Sequence, residues 1–297
     1  MVIFYVANHY EIKADEKISQ IWSSYMFVLG FLIVFRSQQA YGRFWEGTTL
    51  LNQVRGEWFN AVSSLFAFCS DKAEKQAEVK IFQHLIVRLM SLLYCSALQQ
   101  IATMEDEAFE ILDISGISRD SMRFLMSHDQ RCEILLQWIQ KLICMNIGTG
   151  VIPIAPPILS RVFQELSRGI VGVNNATKIS DILFPFPYAQ MVTVMLLITA
   201  FVTPWVAGTI METAPWAGGL TFISVFAFFS INYIAAEIEL PFGDDPNDLP
   251  IADYQRKMNR DLLLLMMEHT QRPPAFTPLS PLNEPCGVIM MREDAIE

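Results

Sequence analysis

The chain has 297 residues, 52% of them hydrophobic and 21 of them Phe, so it can bury far more than one small core. Its formal net charge of -10, with 31 Asp and Glu against 21 Lys and Arg, excludes a nucleic-acid binder, which would need clustered basic residues. The charge is unevenly spread: runs at 18–35, 191–211 and 217–236 carry none, whereas 37–141 and 237–270 are charged like a water-exposed protein. That pattern predicts an integral, multi-pass membrane protein with a large aqueous part.

The apolar run at 2–7 is too short for a span and reads as the end of a truncated first membrane helix, about residues 1–7. The next segment, ISQIWSSYMFVLGFLIVF, is long enough as a helix to cross a hydrocarbon core and predicts a membrane helix over 18–36. At Arg36 the chain turns polar and aromatic, with Tyr41, Arg43, Phe44, Trp45 and Glu46 suited to a membrane-water boundary. Apolar residues at helical spacing then predict amphipathic helices over 48–70, 79–101 and 127–144. Residues 142–160 are uncharged, but Gly148, Gly150, Pro153, Pro156 and Pro157 mark them as helix ends and a turn rather than another span. A helix from 158 to 170 and a turn containing Gly and Asn should follow. Membrane helices over about 188–211 and 217–237 form a hairpin, with Pro204 inside the first. Between Arg36 and Lys178 lie 14 basic residues and in the turn 208–217 none, which places the turn outside and the middle region in the cytosol. One domain thus spans 1–270, with cytosolic helices within 37–185 and 239–270. Residues 271–297 form a proline-rich tail.

Five cysteines at 69, 95, 132, 144 and 286 show no metal or disulfide spacing, and four scattered His residues suggest no ligand set. There is no phosphate loop, nucleophile elbow or His-carboxylate motif, so an enzyme is not expected. Ser23, Phe27 and Phe31 stand at i, i+4 and i+8 and share one helix face. Spacing alone lets that face meet lipid or a neighbouring helix as readily as a pore.

Three segments carry a resemblance. FVLGFLIVFRSQQAYGRFWEG, PYAQMVTV and AEIELPFGDDPNDLP are similar, in order and separation, to the bestrophin family of ion channels, in its bacterial or algal-like branch. The resemblance implies an all-α membrane fold with four transmembrane helices per subunit and a helical cytosolic domain. It also implies a homopentamer around one axial pore in a lipid bilayer, passing permeant anions, chloride or bicarbonate. The membrane is left open between the plasma membrane and an organelle such as the chloroplast. The family's hydrophobic neck falls on Phe27 and Phe31, with Ser23 where a third apolar ring residue can occur, and its cytosolic aperture falls on Leu166. Animal members bind calcium at an acidic run; here Pro246 and Asn247 interrupt it, leaving Asp245 and Asp248 as candidate ligands, with turn formation and helix capping as the alternative role. A sodium channel of the bacterial type and a membrane-anchored interaction protein without conduction are the competing functions.

Overall fold

The computed structural model describes residues 16–102, 109–211, 213–243 and 245–275. The expected first membrane helix, Asp244 and most of the proline-rich tail lie outside the described residues. Among the described residues the structure is helical, without strands. Helix α1 runs Glu16–Ala67, α2 Gln76–Ile101, α3 Arg119–Met126, α4 Arg131–Gly148 and α5 Pro156–Asp181. The hairpin helices are α6, Phe186–Ile210, and α7, Ala214–Ile238; α8, Ile251–Met266, and the short α9, Glu268–Gln271, follow.

Helix α1 corrects one expectation. Its 52 residues form a single helix about 78 Å long, where the sequence predicts a membrane helix to about 36 and a separate one from 48. The change of composition at Arg36 alters what surrounds the helix but contains nothing that breaks it. There is no proline, and Gly30, Gly42 and Gly56 each cost about 1 kcal/mol of propensity without interrupting the hydrogen bonds. The upper part of α1 packs against the hairpin through Leu29 and Ile33 on Val192 and Leu196. Its lower part enters the main helical core, where Leu51, Val54, Trp58 and Leu65 are buried and α1 meets α2, α5 and α8.

Helix α5 corrects a second. It continues past Ile170 through Gly172, Asn174 and Asn175, where a turn is expected. A Cβ on Gly169 would stand 1.9 Å from Trp58 Nε1, and one on Gly172 2.6 Å from Val54 Cγ2. These glycines are the contact surface that lets α5 lie directly on α1, so tertiary packing outweighs their weak helix propensity. The turn expected within 142–160 is present: Gly150 takes φ 76, Val151 and Ile152 are buried, and α5 starts with proline in its first turn.

Residues 73–101 are long and apolar enough to span a bilayer, but 72% of their apolar window is buried in the protein, against 17% for the windows in 19–67 and 214–238. Helix α2 is therefore the centre of the lower helical bundle, whereas α1 and α7 present their apolar surface outward, as lipid or a second copy requires. A polar cluster crosses the bundle: Ser91 Oγ donates to Asn259 Oδ1 at 2.7 Å, and Gln255 Nε2 donates to the Ser91 carbonyl at 3.2 Å. Burial pushes the Cys95 and Cys132 thiols up to about 11 and about 12. Both stay protonated at neutral pH, as core side chains and not metal ligands.

Candidate functional site: an aromatic helix face and a charged node at the membrane boundary

In α1 the side chains at i, i+4 and i+8 lie one above another, so Ser23, Phe27 and Phe31 form a ladder. All three are exposed, Phe27 at 77% and Phe31 at 63%. The opposite side of the same turns is fixed. Leu29 and Ile33 are buried, Tyr25 donates its hydroxyl to the Met195 carbonyl at 2.7 Å, and Tyr188 donates to the Leu32 carbonyl at 3.2 Å. The hairpin thus holds α1 from behind and leaves the phenylalanines facing away from it. Ser23 Oγ donates to the Ser19 carbonyl at 2.9 Å, so this rung offers less free polarity than a serine suggests. The ladder has a rung that the sequence reading omits. Phe35, four residues beyond Phe31, is 40% exposed and leans on Tyr188 with ring centroids 5.5 Å apart. Its spacing was visible in the sequence.

Just below the ladder, on the buried side, lies a charged node. Arg36 Nη1 donates to Asn232 Oδ1 at 2.8 Å, its Nη2 meets Glu239 Oε2 at 3.3 Å, and its guanidinium lies 5.8 Å from the centre of the Phe184 ring. Glu239 Oε1 accepts the Phe184 N–H at 3.0 Å. Arg43, two turns on, donates to the carbonyls of Ile179, Ile182 and Glu239 at 2.6, 2.7 and 3.1 Å. Two arginines of one helix thus tie the end of α5, the start of the hairpin and its end to α1. Phe242 adds to this by packing over Gly47, where a Cβ would stand 2.8 Å from Phe242 Cζ. The aromatic-arginine segment and the proline-rich acidic segment therefore belong to one structural unit. Sequence reasoning missed Glu239 because it lies 203 residues from Arg36 in the chain.

Leu166 and Asp248 are both engaged within the chain. The Leu166 side chain is fully buried in the helical core, and its carbonyl accepts Trp58 Nε1–H at 3.3 Å. In this chain Leu166 sits on the face of α5 that packs on α1. Asp248 is turned into its own loop. Its Oδ2 accepts the Asp245 N–H at 2.9 Å, and a Cβ on Gly243 would stand 2.5 Å from that oxygen. Among the described residues no three His, Cys, Asp or Glu side chains converge to hold a metal ion. Asp245 is exposed and Asp248 is engaged in the turn, so these two carboxylates alone supply few of the six to eight oxygens that calcium takes. The turn-forming role is the one that the geometry supports.

A family model for the Bacterial/Fungal Bestrophin protein matches residues 1–263. A voltage-dependent anion channel-forming protein from Nostoc sp. is 26% identical over 243 residues, 79% of this chain and 73% of that protein. Another of that description from Synechocystis sp. is 26% identical over 242 residues, with the same coverage of both chains. In fold, the chain resembles crystal structures of a bacterial bestrophin homologue from Klebsiella pneumoniae carrying single mutations. Two of these superpose with TM-scores of 0.74 and 0.73, each at 16% identity over 89% of this chain and 92% and 94% of theirs. With the family model matching nearly nine-tenths of its length, this multi-pass membrane chain belongs to the bestrophin family.

Proposed function

We propose that the chain is the subunit of an anion channel in which several copies, five by family resemblance, surround one pore lined by the Ser23, Phe27 and Phe31 face of α1. The observation that carries the reading is the exposure of Phe27 and Phe31 on a helix whose other side is locked to the hairpin. Family membership supports a channel and not an enzyme, and the names of the two cyanobacterial relatives support anions over cations. A chain with so few spanning helices cannot enclose a passage alone, and identical neighbours turn each exposed Phe into a ring. Stacked apolar rings make a constriction that gates by dewetting rather than by ion binding. Ring edges carry partial positive charge, so an anion crossing the neck, chloride or bicarbonate, is favoured over a cation. Calcium has no part in this reading.

Two measurements test it. The mass of the purified protein in detergent should be that of five copies, and a monomer at working concentration would sink the pore. In planar bilayers, Phe27→Ala and Phe31→Ala should each raise the fraction of time open several-fold by widening and wetting the neck. Wild-type currents in both variants would place these side chains against lipid.

A further inference from the structure

We propose that Gln38 belongs to the conduction path, as the hydrogen-bonding side chain that an anion meets first on leaving the aromatic neck toward the cytosol. The inference rests on the reading that the Phe27 and Phe31 face lines the pore, and it extends that face beyond the membrane. Gln38 follows Phe27 by eleven residues and Phe31 by seven, three and two turns of an α-helix, so it lies on the same face about 10 Å below Phe31. It is exposed, and its carboxamide makes no hydrogen bond among the described residues. One turn above is exposed Val34, and one turn below is Gly42, where a Cβ would meet no atom within 4 Å. Neither neighbour can occupy the amide.

The flanking arginines are spent elsewhere. Arg36 and Arg43 point to the other side of the helix and are held by Glu239, Asn232 and backbone carbonyls. Ser37 donates its hydroxyl to the Ile33 carbonyl at 2.9 Å. An ion emerging from a dry constriction must regain hydrogen bonds, and a carboxamide supplies two N–H donors to an anion without fixing a counter-charge in its way. A ring of these amides, one per copy, is therefore the first polar surface below the neck. The ring is itself neutral, and the next charge on the exposed side of the helix is Glu46, two turns below.

Gln39 is the internal control: it has the same chemistry, is exposed, and points about 100° away around the helix. In reconstituted channels at ~0.01 M salt, where the Debye length is about 30 Å, Gln38→Glu should cut chloride current several-fold and move the reversal potential toward that of the cation. Gln38→Lys should do the opposite. Both effects should fade at ~1 M salt, where the Debye length is about 3 Å. Gln39→Glu should act clearly less than Gln38→Glu, the difference being largest at ~0.1 M salt, where the Debye length is about 10 Å. Should the Glu variant fail to assemble, Gln38→Cys treated with a negatively charged methanethiosulfonate after assembly introduces the same charge and should reduce current equally. If the charge variants at 38 keep wild-type reversal potentials while Phe31→Ala changes the current, Gln38 lies off the path and the pore reading stands. If neither position changes the current, the pore reading falls as well.

Discussion

Leucine at Gly169 is expected to prevent the helical bundle around α2 from forming, with little or no folded protein recovered from detergent extracts. The reason is a contact that cannot relax. The first carbon of any side chain there would lie 1.9 Å from Trp58 Nε1, and Trp58 is fully buried with Tyr94 edge-on behind it at a ring separation of 6.1 Å. The indole cannot swing away, so α5 must leave α1, and the Trp58 hydrogen bond to the Leu166 carbonyl goes with it. Overpacking of a well-filled core costs about 1–3 kcal/mol, more where backbone has to move, and the longest helix of the protein depends on this seam. Gly169→Ala should already lower the melting temperature by several degrees, and adding Trp58→Phe, which removes the clashing nitrogen, should recover part of the loss. Wild-type yield and melting of Gly169→Leu would show that the two helices are not in contact at this point.

Glu239→Ala is expected to be nearly as damaging, for an electrostatic reason. Arg36 and Glu239 have side-chain exposures of only 10% and 11%, so removing the carboxylate leaves a guanidinium in a partly dry site and frees the Phe184 N–H as well. Breaking a buried pair in this way costs about 3–5 kcal/mol, whereas replacing both partners by apolar groups is far milder. The double variant Arg36→Met, Glu239→Leu should therefore be more stable than Glu239→Ala alone, read from thermal unfolding in detergent. Losses that simply add would mean that the pair is solvated and does not hold the boundary together.

The membrane plan was legible in the sequence because lipid imposes a coarse rule: a span has to be a long run without charge, and the unbroken runs at 191–211 and 217–236 became the hairpin α6 and α7. The outward aim of Phe27 and Phe31 was legible only as one face among others. It took the packing of Leu29 and Ile33 on the hairpin to show which side of α1 is free. What was not legible has a common cause, the dominance of distant contacts over local composition. Gly172 and the two asparagines after it look like a turn until Val54 is laid against them. The inward direction of Leu166 depends on the same seam. A polarity change at Arg36 looks like the end of a helix, yet the helix continues because its backbone is indifferent to whether lipid, water or protein surrounds it. The charged node could not be read either, since nothing local links Arg36 to Asn232 and Glu239.

Reversal potential in an asymmetric sodium chloride gradient, recorded from the purified protein in planar bilayers, tests the central reading most directly. An anion channel formed by this chain should reverse close to the chloride equilibrium potential, and Phe31→Ala should change the size of the current without moving it to the sodium side. Reversal close to the sodium equilibrium potential, or no current from protein shown to be oligomeric and folded, would contradict it.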